Sequence, residues 1–175
     1  MTLDLARCMA IDGFTDEEEL TWLASKAAQM QSVVEIGTWK GRSALALAMA
    51  CPGRVYTIDT FEGSPSEWDS CHAEALEGHL YDDAVLNLRD VPNLWVIKEQ
   101  SLAASRRFSR VDMVWIDGEH TTLAVLTDLI AWVPKAVKLV CGHDISFEGV
   151  VQATAVYGIP VEAGPGSIWY MEKMT

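Results

Sequence analysis

Five short runs of β-branched and aromatic residues, separated by longer amphipathic stretches, constrain this chain more than any other feature. The runs are Val33–Ile36, Val55–Ile58, Leu94–Ile97, Val111–Ile116 and Val137–Cys141, and each reads as a buried strand. Between them, Gly41 to Ala50, Ser70 to Leu88 and Thr121 to Val133 read as helices. Leu76, Leu80, Ala84 and Leu88 define the apolar face of the second, and Leu123, Leu126, Ile130 and Val133 that of the third, which Pro134 stops. Strand and helix alternating in this way require right-handed crossovers and a mainly parallel sheet covered on both faces.

The two ends of the chain add to this frame. Thr15 and Glu18 have capping-box spacing ahead of Leu20, Leu23, Ala27 and Met30, so residues 1–31 read as a helical segment packed on the core. After a helix over Glu148–Tyr157, the strand candidates Ile159–Glu162 and Ser167–Glu172 are joined by Ala163-Gly164-Pro165-Gly166. That connection is too short for a crossover helix, so one edge strand runs antiparallel. The expected fold is α/β: one Rossmann-like doubly wound sheet over residues 1–175, mainly parallel, with an antiparallel C-terminal hairpin strand.

Charge narrows the partners. Twenty-five acidic against thirteen basic residues give a formal charge of −12, a surface field that repels phosphate backbones and anionic headgroups. Neither nucleic acid nor membrane is an expected partner, and a cationic or neutral small molecule suits the field better. Cys8, Cys51, Cys71 and Cys141 never fall at C-x-x-C spacing, which leaves no zinc knuckle or thioredoxin-like pair and fits reduced thiols. Without a basic amino-terminal region or a run of about 20 apolar residues, a cytoplasmic location is expected.

The run Val33-Val34-Glu35-Ile36-Gly37-Thr38-Trp39-Lys40-Gly41-Arg42-Ser43 takes a strand through a glycine-bracketed loop into a helix. In an open α/β sheet this loop borders the ligand crevice. It matches neither the G-x-G-x-x-G dinucleotide fingerprint nor the phosphate loop, which counts against a nicotinamide oxidoreductase. Instead Glu35 precedes Gly37, and Asp59 ends the next strand, where a carboxylate can accept both hydroxyls of a ribose. Glu35 is expected near a cationic or amino group of the ligand. An adenosyl ligand with a positive centre and no phosphates fits such a loop, although Gly37 and Gly41 also suit a plain strand-to-helix turn.

The segments VVEIGTWKGRSALALA, VYTIDTFEG and WIDGEH resemble the class I S-adenosylmethionine-dependent methyltransferases. The closer resemblance is to the small-molecule O-methyltransferase-like branch that includes macrocin-type O-methyltransferases and cephalosporin-hydroxylase-like proteins. It implies that Glu35, Gly37, Thr38, Gly41 and Ser43 surround the methionine part of S-adenosylmethionine. Asp59 would bind the ribose, with Thr60 and Phe61 beside the adenosine, and Gln100 and Ser101 would contact adenine. Ser101 reads equally well as a helix N-cap.

Asp117-Gly118-Glu119-His120 and His143-Asp144 end two neighbouring strands. In the branch, such a pairing often holds a divalent metal, Mg²⁺ or Mn²⁺, that grips the acceptor; Asp117 and Asp144 match those positions, His143 is the third expected ligand, and Asp117 also faces the cofactor. His143 departs from the usual oxygen set, since imidazole suits softer ions than Mg²⁺. His120 or His143 is alternatively a general base or a hydrogen-bonded structural residue. Trp39 and Trp68 read as lining a pocket and the other five tryptophans as core, while Glu62 to Ser70 reads as a lid or an ordinary loop.

Together these features predict methyl transfer to an oxygen of a small molecule, with Asp117, His120, His143 and Asp144 at the acceptor. The alternative is a non-catalytic module holding the cofactor or its demethylated product. The short chain leaves little to build a substrate cap, so a cap is either absent or borrowed from a second copy in a homo-oligomer.

Overall fold

The computed structural model describes residues 3–64 and 70–173. Strands β1 (Ser32–Ile36), β2 (Arg54–Asp59), β3 (Leu94–Lys98), β4 (Val111–Ile116) and β5 (Ala136–Gly142) run parallel. The closing strands β6 (Glu162–Ala163) and β7 (Trp169–Glu172) run antiparallel, β7 against β5 and β6 against β7. The order is β3-β2-β1-β4-β5-β7-β6. The chain therefore moves outward from β1 in one direction and resumes at β4 on the other side. That reversal opens a crevice beyond the carboxyl ends of β1 and β4.

The period-two pattern of the strands divides the core into two layers. Val33, Val55, Met113 and Trp115 face α1 (Leu5–Met9), α2 (Glu17–Ala27) and α3 (Arg42–Ala50). Val34, Ile36, Val114 and Val140 face α6 (Ser101–Ser105), α7 (Thr122–Trp132) and α8 (Glu148–Tyr157). Burying both faces accounts for near-continuous apolar strands. Among the described residues, no helix is long and apolar enough to cross a membrane.

Several expectations are corrected. The N-cap of α2 is Asp16 with Glu19 as its capping-box partner, one residue later than the Thr15 and Glu18 spacing suggested. The helix expected over Ser70 to Leu88 is two helices, α4 (Ser70–Leu76) and α5 (Leu80–Leu88). Between them Gly78 takes a left-handed φ of 80° that a continuing helix cannot use. Leu76 is exposed in consequence. In α7 the buried stripe is Val125, Leu129 and Trp132, while Leu123 and Ile130 point outward; a helix apolar all round does not reveal its inner face by periodicity.

β6 spans only two residues rather than Ile159–Glu162. Trp95 is exposed on the edge strand β3 and stacks on Tyr56, whereas Trp115, Trp132 and Trp169 are core as expected. Trp68 and most of the expected lid lie outside the described residues. Cys8, Cys51 and Cys141 are buried free thiols.

Candidate active site

The loop after β1 is shaped by a close backbone crossing. Gly37 has φ 91°, and a Cβ there would lie 2.0 Å from the Asp117 carbonyl oxygen at the end of β4. Only glycine combines that conformation with that approach. The N–H of Gly37 donates to the Ile58 carbonyl at 2.9 Å and that of Asp117 to Ile36 at 2.8 Å. Three strand ends are thereby tied together at one point.

Glu35 lies beneath this loop, fully buried and outside the cleft wall. Ser43 Oγ donates to its Oε1 at 2.6 Å and Thr57 Oγ1 donates to its Oε2, while the hydroxyls of Thr38 and Thr57 also meet. Burial pushes the Glu35 carboxyl up to about 8; the hydroxyls of Ser43 and Thr57 oppose that shift, and the charges of Asp117 and Asp59 add to it. The arrangement makes Glu35 a prop joining β1, β2 and α3.

Asp59 lines the cleft and organises its floor. Its Oδ2 accepts from the backbone N–H groups of Thr38 at 2.8 Å and Trp39 at 2.9 Å, and its Oδ1 from Phe61 at 2.8 Å. Trp39 and Phe61 are held at φ 44° and 58°, a conformation that costs a non-glycine residue about 1–3 kcal/mol. Thr60 lines the cleft. Phe61 does not: it is buried among Ala75, Leu80 and Ala84, edge-on to Tyr81.

Gln100 and Ser101 both line the cleft at the start of α6, with Gln100 rather than Ser101 at the N-cap. Ser101 Oγ donates to Asp128 Oδ1 and accepts from Trp132 Nε1 at 2.8 Å. Burial raises the Asp128 carboxyl to about 6, with the Ser101 bond opposing and Glu119 adding to the shift.

At the other end, the ends of β4 and β5 bring Asp117, His120, His143 and Asp144 together. His120 Nε2 lies 3.0 Å from Asp144 Oδ2 and 4.0 Å from Asp117 Oδ1. His143 Nδ1 lies 3.2 Å from Asp144 Oδ2 and 3.7 Å from Asp117 Oδ1, while its Nε2 meets Glu19 Oε1 at 2.9 Å. Burial works to lower the His143 pKa, but the Asp144 hydrogen bond and the charges of Asp117, Asp144 and Glu19 carry it up to about 9. Burial also opposes the charge on Asp144, yet the bonds and charges of His120 and His143 hold its carboxyl well below the usual range. Asp144 itself takes φ 57°.

One oxygen each of Asp117 and Asp144 and one nitrogen of His120 lie within 4.8 Å of one another. This is the group among the described residues that could hold a cation, and it differs from the expected set by His120 in place of His143. Both ring nitrogens of His143 are already turned to carboxylates.

The Gly37 loop, Asp59, Gln100, Ser101, Asp117, His120 and Asp144 border one cleft of about 1350 Å³, with Glu35, Phe61 and His143 behind its wall. Its wall includes side chains that sequence reasoning did not single out: Phe14, Asp128, Phe147, Glu148 and Gln152. Phe14 stacks on Trp39 with ring centroids 4.9 Å apart, and Phe147 packs against His120 at 4.9 Å. No motif marks them, because the fold brings them in from distant segments.

A doubly wound sheet of this order, with an acid-ended β2 and a glycine loop at the β1–β4 switch, is the methyltransferase architecture. The chain belongs to the methyltransferase domain family, whose pattern matches residues 34–145. Solved structures share its fold. The O-methyltransferase from Bacillus cereus in complex with SAH is 16% identical, with a TM-score of 0.65 over 97% of this chain and 87% of that one. TomG of Streptomyces achromogenes, an O-methyltransferase involved in tomaymycin synthesis and solved with SAM, is 15% identical, with a TM-score of 0.64 over 92% and 82% of the two chains. The cofactor-bound Rv0187 from MTB is 19% identical, with a TM-score of 0.63 over 95% and 85%. No curated protein matches the chain.

Proposed function

We propose that this protein is an S-adenosylmethionine-dependent methyltransferase that methylates an oxygen of a small molecule. One observation carries the reading: a single cleft joins the Gly37 loop, Asp59 and the Gln100–Ser101 edge to the Asp117–His120–Asp144 cluster. The SAH and SAM held by the Bacillus cereus enzyme and TomG support the choice of cofactor.

Asp59 fits a ribose. After its three backbone donors, Oδ1 retains a lone pair for a ribose hydroxyl. Gln100 and Ser101 flank the adenine end, and Gly37 and Thr38 let the methionine part approach the backbone. Glu35 acts on that part through the Ser43 and Thr57 hydroxyls. S-adenosylmethionine bound there would supply a methyl group on a positively charged sulfur, open to in-line displacement by the acceptor oxygen with S-adenosylhomocysteine as the leaving group.

The donor set Asp117, His120 and Asp144 fits a divalent cation. Two carboxylate oxygens and one imidazole nitrogen suit Mn²⁺, Fe²⁺ or Zn²⁺ better than Mg²⁺. A cation bound there supplies Lewis acidity that makes an acceptor hydroxyl easier to ionise. Asp117 and Asp144 orient the acceptor, and Phe147 packs against His120 beside them. The 3.0 Å contact between His120 Nε2 and Asp144 favours a second, metal-free reading in which Asp144 orients the imidazole by accepting its Nε2–H and the other ring nitrogen takes the acceptor proton.

The test is transfer of labelled methyl from S-adenosylmethionine to a panel of catechol, sugar and amino-acid acceptors, with and without EDTA. Turnover abolished by EDTA and restored by Mn²⁺ supports the cation, and EDTA-resistant turnover supports His120 as base. Binding of S-adenosylhomocysteine with no acceptor methylated leaves the non-catalytic module.

A further inference from the structure

The acid–histidine cluster does not end at the cleft. Glu19, in the first turn of α2 and only 3% exposed, reaches it from an element outside the span matched by the family. Its Oε1 accepts from His143 Nε2 at 2.9 Å, from the Ser167 backbone N–H at 2.8 Å and from Ser167 Oγ at 3.4 Å. Its Oε2 accepts from the Asp16 N–H at 2.9 Å and completes the cap of α2. A carboxylate buried so deeply persists only when every oxygen is bonded and its charge is matched.

The backbone around His143 is fixed as firmly as its ring. Its N–H donates to Ile116 at 3.1 Å, and its carbonyl accepts from Trp169 Nε1 at 3.0 Å. With the backbone pinned and Nε2 held by Glu19, Nδ1 has one direction left, toward Asp144 and Asp117. A second observation indicates that the Glu19 contact is built in. Gly166 takes φ 56°, and a Cβ there would lie 2.1 Å from Glu19 Oε1. Glycine at this position leaves room for the carboxylate and lets the Ser167 N–H reach it.

We infer that Glu19 is a positioning residue for the transfer site: through His143 it fixes the Asp117–Asp144 carboxylate pair that His120 meets. The inference rests on the reading of that pair as the acceptor end of the cleft. Partners behind the groups that touch a metal or substrate set their orientation, and losing one weakens metal binding by about 10-fold or more. Glu19 stands two contacts from the cleft, so its effect is confined to the acceptor end and leaves the Asp59 end unchanged.

The experiment compares wild type with Glu19→Gln, which keeps the length of the side chain and removes its charge. Mn²⁺ and S-adenosylhomocysteine are titrated separately by calorimetry. The imidazole nitrogens, in a chain with four histidines, are followed by ¹⁵N NMR. The expected result is Mn²⁺ affinity about 10-fold weaker, S-adenosylhomocysteine affinity within about twofold, and movement of both the His143 and the His120 signals. Unchanged Mn²⁺ affinity with an unmoved His120 signal overturns the inference and leaves Glu19 as a helix cap.

If Glu19→Gln does not fold, Gly166→Ala displaces the carboxylate while keeping its charge, and the same pair of outcomes decides. If wild type takes up no Mn²⁺, the cation reading fails by itself and the His120 signal alone decides for Glu19. If wild type binds no S-adenosylhomocysteine, the methyltransferase reading fails, again without bearing on that signal.

Discussion

A single oxygen of Asp59, Oδ2, accepts the backbone N–H groups of both Thr38 and Trp39, so the acid that ends β2 is also the anchor of the loop that leaves β1. Under the proposed function, recognition of the ribose and the shape of the methionine pocket are linked through this one carboxylate. Asp59→Ala orphans three backbone donors, the third being Phe61. It is expected to destabilise the protein by about 2–3 kcal/mol in urea unfolding and to weaken S-adenosylhomocysteine binding by at least about 10-fold. Asp59→Asn, which keeps one acceptor oxygen, falls between.

Glu35 predicts a pH dependence of stability. Its carboxyl is raised from 4.5 to about 8 in the fold, so the folded state favours the neutral form. The stability this contributes is complete below about 4.5 and is lost as pH rises through about 8. Glu35→Gln keeps the shape and cannot ionise, so it flattens the decline across that window. Urea midpoints of both proteins between pH 5 and 9 check this; parallel curves contradict it.

Gly37→Ala tests the backbone crossing. The added Cβ meets the Asp117 carbonyl at 2.0 Å in a left-handed backbone, so it must part β1 from β4. We expect a loss of about 2–4 kcal/mol and no detectable cofactor binding. Thermal unfolding with and without S-adenosylhomocysteine measures both.

His120→Ala separates the two ends of the cleft. Its imidazole contacts Asp144 and packs on Phe147, whereas Asp59 holds the loop that leaves β1. Turnover is expected to fall by about 100-fold or more, with S-adenosylhomocysteine affinity within about twofold. Equal losses in both would place His120 in the cofactor cradle instead.

Much of this architecture was legible in the sequence. The five parallel strands carry their own signature because both faces are buried, and Gly37 and Asp59 stand at strand ends where the crevice must open. What was not legible lies in contacts between distant segments. Phe14 meets Trp39, Glu19 meets His143, and Ser101 meets Asp128 only after the sheet has formed. The acidic run Asp16 to Glu19 reads as a helix start, and all four of its members serve as that. The fourth, Glu19, also turns inward, and charge patterning has no sign for such a change of role. Phe61 was misplaced for a related reason: it neighbours Asp59 in sequence, but its left-handed φ turns the ring into the packing against Tyr81.

The most direct test of the central claim is calorimetric titration of S-adenosylmethionine, S-adenosylhomocysteine and NAD into the wild-type chain, repeated with EDTA. The account predicts that both adenosyl ligands bind, that NAD does not, and that EDTA leaves cofactor affinity unchanged. S-adenosylhomocysteine at a hundred times its dissociation constant should add about 2.7 kcal/mol of stability. No binding of either adenosyl ligand, or binding of NAD in their place, would contradict it.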